Sequence, residues 1–409
     1  MGETRYFRAG WVIDGTGAAP RRDVLITVTD GVFAGFADFS EEDRLPEGLL
    51  TDLSYAMILP LLVDSHTHLG MSGTIDRAAR EQQLGNDYQA RKKIVGANLR
   101  NYFGHGVGAV RDAGDRQNAV LRYCREVAQD QRPPVIVKAV GRAIHAPDRY
   151  GALIGASLSD DPRKSAETEL DGGADCLKIV NSGLNSLREY GKTTAPQFSP
   201  EQLKAMVNAA KSRGAPVMVH ANGEEPVRRA IEAGCSSIEH GFFMGRDNIE
   251  LMAERGIYWV PTLFTMHAMR VYFEGLGGQA DRSVIERTLD SQFTQVAHAR
   301  RCGVRIACGS DAGGYGVLHG EAVVEELKLL KMAGLKISEA ICSATEHGAR
   351  LLGVDHELGC LAVGKPAHFL VARGTIGQLP RKIRFLDAIY HNGAPSPLYR
   401  KEPEYDFSA

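Results

Sequence analysis

The feature that most constrains the fold is an alternation, along the middle of the chain, of short apolar runs with helical patterns. Eight runs rich in β-branched residues occur between residues 57 and 313, the first being MILPLLVD and the last VRIACGSDAG. Between most of them lie helical patterns such as SPEQLKAMVNAAKSRG, which end in a glycine suited to a helix C-terminus. This alternation predicts an α/β fold, a (β/α)8 TIM barrel. A doubly wound open sheet is the alternative, but no run leads into a GxGxxG nucleotide-binding turn.

The two ends of the chain have a different pattern from the middle. Residues 1–57 and 355–409 contain short β-rich runs broken by glycine and other turn residues. Because chain ends often lie close in space, we expect both ends to build one small β-sandwich domain together. The barrel domain is then expected at residues 58–354.

Composition and charge exclude several classes of partner. The formal net charge of −2 gives no electrostatic reason to expect nucleic acid or an anionic membrane. No stretch approaches the ~20 continuous apolar residues of a membrane helix, and the first residues lack the pattern of a secretory signal. The seven cysteines are scattered without a CxxC pair, which is typical of reduced thiols. We therefore expect a cytoplasmic protein acting on a small molecule.

Six ionisable side chains stand at the ends of predicted strands, where the chemistry of a barrel is located. Residues i and i+2 of a strand point to one face. The sequence His-Thr-His at the end of the first strand therefore brings two imidazoles together. The six residues are His66 and His68 after the first strand, Lys178 from the fourth, His220 from the fifth, His240 from the sixth and Asp311 from the eighth.

Each of these residues alone has an ordinary structural explanation. A single histidine at a strand end is usually a hydrogen-bonded loop residue, and a lysine such as Lys178 usually lies at the surface. Asp311 alone would be read as a helix N-cap. Their co-occurrence at equivalent places in the strand order favours one shared site.

The chemistry of the set indicates a metal centre. Imidazole and carboxylate suit Zn²⁺ and similar ions, which lower the pKa of bound water from 15.7 toward ~7. The ammonium of Lys178 would be repelled by a cation, so it must lose its charge through burial or react with CO₂ to form a carbamate. A carbamate has two oxygens and could bridge two metals. Asp311 can hold a metal and accept a proton.

The strand-end pattern HxH, Lys, His, His and Asp resembles that of the amidohydrolase superfamily. The resemblance implies that His66 and His68 hold one divalent ion, that His220 and His240 hold the other, and that carboxylated Lys178 bridges them. Asp311 would bind the first ion and shuttle protons. Zinc is the expected metal. The implied reaction is hydrolysis of a C–N bond by a metal-bridging hydroxide.

Within the superfamily, the segments CLKIVNSG, VMVHANG and SIEHG resemble the branch of prolidases, Xaa-Arg dipeptidases and ochratoxinase-like amidases. The implied substrate is a small amide, dipeptide or carbamate. The chain departs from that branch at Asn222, where a second histidine is usual, and in the segment GRAIHAPDRYGALIG after the third strand. Specificity in a barrel is determined by such loops.

Loop residues near the strand ends are the candidate substrate contacts. Guanidinium groups among them would suit a substrate carboxylate. The candidates are Arg142, His145, Arg149, Tyr150, Tyr190, Asn222, Tyr315 and His319. Asp112 at the end of the second strand is interpreted as orienting a ligand histidine.

Two other functions remain open on the same fold. One is a mononuclear deaminase or an imidazolonepropionase-like ring hydrolase, a class that typically lacks a lysine at the fourth strand. The other is a catalytically silent scaffold, a class that usually loses metal ligands. The substrate, the metal and any homo-oligomer are not fixed by the sequence.

Overall fold

The computed structural model describes residues 3–40, 49–130 and 135–399, so parts of both predicted terminal segments lie outside the described residues. Within those ranges it contains sixteen strands, twelve α-helices and three short 3₁₀ helices. The strands are β1 Thr4–Val12, β2 Arg21–Thr29, β3 Val32–Asp38, β4 Leu50–Leu59, β5 Leu62–Thr67, β6 Val107–Asp112, β7 Ile136–Ala139, β8 Ala143–His145, β9 Gly155–Ser157, β10 Leu177–Val180, β11 Val217–Ala221, β12 Ser237–His240, β13 Tyr258–Val260, β14 Phe369–Arg373, β15 Leu386–His391 and β16 Ala394–Pro395.

The helices lie mainly between the strands of the middle region. They are α1 Arg77–Gly85, α2 Tyr88–Gly104, α3 Ala119–Asp130, α4 Pro162–Asp171, α5 Pro200–Ser212, α6 Glu224–Ala233, α7 Arg246–Arg255, α8 Leu263–Val271, α9 Arg282–Cys302, α10 Glu321–Met332, α11 Ile337–Ser343 and α12 Glu346–Leu352. The 3₁₀ helices are Phe273–Gln279, Ile376–Gln378 and Arg381–Phe385. No helix in the described part of the chain is long and apolar enough to cross a membrane.

Strands from both ends of the chain share one sheet. Its seven strands have the order β16-β15-β14-β4-β1-β2-β3, and β14 runs antiparallel to β4. One face of the sheet has its own core, in which Phe7, Phe33 and Phe369 are buried. The C-terminal strands therefore complete a sheet that the N-terminal strands begin.

The middle of the chain forms parallel strands connected by helices, as the α/β prediction requires. They hydrogen-bond in the orders β13-β12-β11-β10-β8-β9 and β5-β6-β7. Side chains such as Val63, Ile179 and Val219 are fully buried because helices cover the outer face of the strands. The polar ends of these strands are thereby brought to one side of the sheet system.

Two of the eight predicted strands differ from a regular strand. The third is divided into β7 and β8 at Gly141, which has a φ of +70°. The eighth makes only isolated bridges, of Ile306 to Trp259 in β13 and of Ala312 to Thr67 in β5. Asp311 has a φ of +55°, which interrupts the extended conformation at that point.

Candidate metal centre

All six strand-end residues line one cavity. The cavity has a volume of about 490 Å³ and lies where the parallel strands end. Its lining includes His66, His68, Lys178, His220, His240 and Asp311. The structure thus brings together the complete set of predicted metal ligands.

His66 from β5 and His68, just after β5, converge on Asp311 from the eighth segment. The Oδ1 atom of Asp311 lies 3.6 Å from Nε2 of His66 and 3.5 Å from Nε2 of His68. One ligand atom from each of the three residues lies within 4.8 Å of the others. These distances leave room for one cation between the three side chains.

The other ring nitrogens of His66 and His68 are already hydrogen-bonded. Nδ1 of His66 lies 2.6 Å from a carboxylate oxygen of Glu239, and Nδ1 of His68 lies 3.1 Å from the carbonyl oxygen of Gly114. Both partners are acceptors, so each Nδ1 carries the proton and each Nε2 keeps a free lone pair. The donor set therefore fits a divalent ion such as Zn²⁺.

His220 and His240 form the neighbouring part of the site. Their ring centroids lie 4.6 Å apart, and the ring of His240 is 5.0 Å from that of His66. Nε2 of His220 donates to the carbonyl oxygen of Gly183 at 3.2 Å, which leaves its Nδ1 unprotonated. Nδ1 of His240 lies 2.7 Å from the hydroxyl of Thr262. When Nδ1 of His240 donates to this hydroxyl, its Nε2 is free, and each ring has one nitrogen available to a metal.

Lys178, which is buried, and Asp311, whose side chain is 20% exposed, are ionisable groups that line this cavity. Burial lowers the pKa of Lys178 to about 8, against the opposing attraction of Glu239 and Asp311. Burial also raises the pKa of Asp311 to about 7, and the nearby Lys178 opposes that rise. With a side chain only 1% exposed, Lys178 is not the surface lysine of the ordinary explanation.

A buried ion pair between Arg111 and Glu239 holds His66 in place, and neither residue was predicted from the sequence. Arg111 donates to Glu239 at 3.0 Å and to the carbonyl oxygen of Ser65 at 2.8 Å. Both charged residues are almost completely buried. The available signal was a charged residue inside an apolar strand, in VGAVRD for Arg111 and in SIEH for Glu239.

Asp64 is a second buried support. It accepts hydrogen bonds from the hydroxyl of Tyr102 at 2.7 Å and from the backbone N–H of Ser310 at 2.9 Å. Burial raises its pKa, while these hydrogen bonds lower it. The carboxyl group thereby joins β5 to the segment that carries Asp311.

Three residues at the site have strained backbone conformations. His240, Thr262 and Asp311 have φ values of 66°, 46° and 55°. A positive φ is costly for a residue with a side chain, particularly for β-branched Thr262, and such strain concentrates at functional sites. The strain indicates that the backbone conformation of these residues serves to direct their side chains into the site rather than to stabilise the fold.

The predicted substrate contacts divide into two groups. Tyr150, Asn222 and Arg149 line the cavity. Asn222 is also fixed by its Oδ1 atom, which accepts from the backbone N–H of Phe242 at 3.0 Å. Most of the wall around them is apolar and comes from Met71, Leu84, Leu153, Leu184, Leu187, Phe242, Met266 and Met269.

The other predicted contacts do not line this cavity, and each has a different partner. The Arg142 guanidinium pairs with Glu169 at 2.8 Å. Tyr190 packs edge-on against Phe243, and the Tyr315 hydroxyl lies 3.5 Å from the carbonyl oxygen of Tyr272.

The two histidines in this group have structural contacts. His145 is buried, with Nδ1 2.8 Å from the carbonyl oxygen of Ala146. His319 is also buried and donates to the carbonyl oxygen of His68 at 3.2 Å. Burial lowers the pKa of His319 to about 3. Neither imidazole lines the cavity, and each has an internal hydrogen-bond partner instead.

Asp112 contacts the backbone beside the site. Its carboxyl group accepts from the N–H groups of Leu69 at 2.8 Å and Gly114 at 3.0 Å. Because the carbonyl oxygen of Gly114 lies 3.1 Å from Nδ1 of His68, Asp112 is connected to this imidazole through one intermediate residue.

A sequence model described as the amidohydrolase family matches residues 57–394 of the chain. The protein belongs to the amidohydrolase family. As an amidohydrolase it is a hydrolase acting on C–N bonds, and the residues that line its cavity include a candidate His/Asp metal site.

Comparison with individual amidohydrolases agrees with this assignment. An uncharacterized protein of Mycobacterium tuberculosis is 30% identical over 303 residues, which cover 72% of this chain and 74% of that protein. Ochratoxinase of Aspergillus niger is 31% identical over 206 residues, or 50% of this chain and 41% of the enzyme. The structure of a Xaa-Pro dipeptidase with bound methionine superposes with a TM-score of 0.80 at 25% identity, covering 96% of this chain and all of that one. The predicted barrel with an additional domain is thus confirmed at the level of the fold.

Proposed function

We propose that the protein is a binuclear metal-dependent hydrolase of an amide, peptide-like or carbamate bond in a small molecule. The observation that carries this proposal is that four histidines, a buried lysine and an aspartate line one cavity. In the proposed site His66, His68 and Asp311 would hold one divalent ion. His220 and His240 would hold the other, and Lys178, as a carbamate, would supply oxygen ligands to both.

The burial of Lys178 supports the carbamate. A buried ammonium beside two cations would be strongly unfavourable, whereas the neutral amine can react with CO₂. The nitrogen forms a bond to the carbon of CO₂ and loses a proton to solvent, leaving one negative charge on two oxygens. This charge would offset part of the charge of the two ions.

When bound, the ions would polarise the substrate carbonyl and lower the pKa of water toward ~7. Asp311 would accept a proton from the attacking water, a role supported by its Oδ1 atom lying 3.6 Å from Nε2 of His66 and 3.5 Å from Nε2 of His68. It then delivers the proton to the leaving nitrogen. The apolar wall around Leu184 and Met266 would take up an apolar substituent next to the scissile bond and exclude bulk water.

The proposal is tested by a substrate screen of the metal-loaded protein. The panel contains N-acyl amino acids, dipeptides ending in Pro, Arg or Lys, and aryl carbamates, each with an apolar and a polar substituent. We expect turnover of at least one class, with higher kcat/KM for the apolar member and loss of activity on chelation. Activity that survives complete removal of metal would contradict the proposal.

The mononuclear alternative makes a different prediction. A deaminase or ring hydrolase of that class would bind one ion and would not need Lys178. The position of Lys178 among the ligand histidines favours the binuclear site.

A further inference from the structure

A second cluster of metal-ligating side chains lies on the helical exterior, away from the cavity. Glu250 projects from α7, while His298 and Cys302 come from α9. The last two are four residues apart and therefore share one face of the helix. We call these three residues the peripheral cluster. Because Cys302 ends α9 just before the eighth segment begins, the cluster is near the opposite end of the strands from His66.

The distances within the peripheral cluster match those of a metal site. Nε2 of His298 lies 3.2 Å from Oε1 of Glu250 and 3.5 Å from Sγ of Cys302. All three ligand atoms lie within 4.8 Å of one another. In a tetrahedral zinc site, bonds of about 2.1 Å to nitrogen or oxygen and 2.3 Å to sulfur place neighbouring ligands about 3.4–3.6 Å apart. Only small side-chain shifts separate the cluster from that geometry.

The types of ligand indicate which ions would be selected. A thiolate beside an imidazole favours thiophilic ions such as Zn²⁺ over Mg²⁺ or Ca²⁺, which prefer oxygen ligands. The side chain of Glu250 is 56% exposed and that of His298 is 15% exposed. An ion there would be reached from solvent and would keep water in its remaining position.

Binding would require two local changes. The thiol of Cys302 must lose its proton, and Nδ1 of His298 must carry one so that Nε2 is free. The Arg301 guanidinium now lies 3.5 Å from that Nδ1. Arg301 is exposed, so its side chain can turn into solvent without disturbing the helix.

We propose that Glu250, His298 and Cys302 form a peripheral binding site for a thiophilic divalent ion such as Zn²⁺. The ion joins α7 to the C-terminal end of α9, which packs against it. This site is independent of the proposed reaction, since none of its residues lines the cavity.

Cobalt absorption provides the direct test, because bonding of Co²⁺ to a thiolate gives a strong near-ultraviolet charge-transfer band. None of the described residues that line the cavity is a cysteine, so Co²⁺ bound there does not produce the band. The reduced, full-length protein is titrated with Co²⁺ and then with Zn²⁺. We expect the band to saturate at one ion per chain and to disappear when Zn²⁺ displaces the cobalt.

Three variants assign the band to the peripheral cluster. Cys302→Ser should lose the band and one bound ion. His298→Gln should weaken cobalt binding. The control Cys124→Ser, a change at another partly buried cysteine, should behave as wild type. Circular dichroism checks folding, and kcat/KM should be unchanged in Cys302→Ser. The absence of a band in Co²⁺-saturated wild type, or its persistence in Cys302→Ser, would overturn the proposal. Unchanged cobalt affinity in His298→Gln would do the same.

Discussion

At the scale of single residues, the site is determined by partners that fix each ligand ring. Glu239 and Gly114 fix the imidazoles of His66 and His68, and Thr262 contacts the ring of His240. The convergence of the four histidines in one cavity could be predicted from the sequence, because these residues recur at strand ends. Their partners could not, because Glu239 and Thr262 become neighbours of the rings only through packing of separate strands.

Thr262 provides a test of this support. Thr262→Val removes the hydroxyl that lies 2.7 Å from Nδ1 of His240 but keeps the side-chain shape. We expect metal affinity to fall by about 10- to 100-fold, the usual effect of losing such a partner. Thr262→Ser retains the hydroxyl and should remain close to wild type in a zinc competition titration. Equal affinities for the two variants would show that the hydroxyl does not orient the ring.

At the scale of secondary structure, the sequence predicted the parallel strands and their helices but not the irregular third and eighth strands. Glycine-terminated helices were predictable, since Gly234 and Gly256 end α6 and α7 in the left-handed conformation. The eighth segment departs from a regular strand because Asp311 turns into the site with a positive φ. A local hydrophobic pattern contains no information about that turn.

Gly309 controls how closely the eighth segment approaches β5. A Cβ atom there would lie 2.9 Å from Cβ of His66 and would also collide with Val260. Gly309→Ala should therefore lower the free energy of unfolding by about 1–3 kcal/mol and weaken metal binding by displacing His66.

The matched control is Gly278→Ala, where an added Cβ meets nothing within 4 Å. Urea unfolding and a zinc titration of both variants make the comparison. If Gly309→Ala were as stable as Gly278→Ala and bound zinc normally, the close approach would have no functional importance.

At the scale of the whole molecule, burial shifts the pKa values of histidines and of a carboxyl group in opposite directions, so these groups change stability with pH in opposite ways. Burial lowers the pKa of His220 to about 3 and of His368 to about 4, so folding disfavours their protonation. Burial raises the pKa of Glu326 to about 8, so folding favours its protonation. The overall pH dependence is a difference between these contributions, and a single group is best isolated with a variant.

His319 isolates one such contribution. Its pKa is about 3 in the folded protein and about 6.5 when unfolded, so the unfolded state binds one more proton between these values. Its contribution to the free energy of unfolding therefore falls as pH decreases below about 6.5, by about 1.4 kcal/mol per pH unit.

His319→Gln keeps a donor toward the carbonyl oxygen of His68 and removes this titration. As pH falls from 6 to 4, the free energy of unfolding of the metal-free variant should therefore rise relative to that of wild type by about 1.4 kcal/mol per pH unit. Urea unfolding in the presence of a chelator measures the difference. A pH-independent difference would contradict the assignment of His319 as a buried, neutral imidazole.

The substrate is the property that neither the strand pattern nor the fold determines. Of the predicted contacts, Tyr150, Asn222 and Arg149 reach the cavity, while Arg142 is paired with Glu169 instead. Loop conformation decides which side chains point inward, and it depends on many contacts distant in sequence. The clustering of the proposed metal ligands in one cavity was predictable, because the carboxyl ends of parallel strands meet regardless of the loop conformations.

The most direct test of the metal centre is the zinc content per chain of the Cys302→Ser protein, measured with and without Lys178→Ala. The Cys302→Ser background removes the peripheral cluster from the count. Two ions per chain are predicted, with Lys178→Ala losing at least one of them together with all turnover. A single ion per chain, or two ions and full turnover retained in Lys178→Ala, would contradict a lysine-bridged binuclear site.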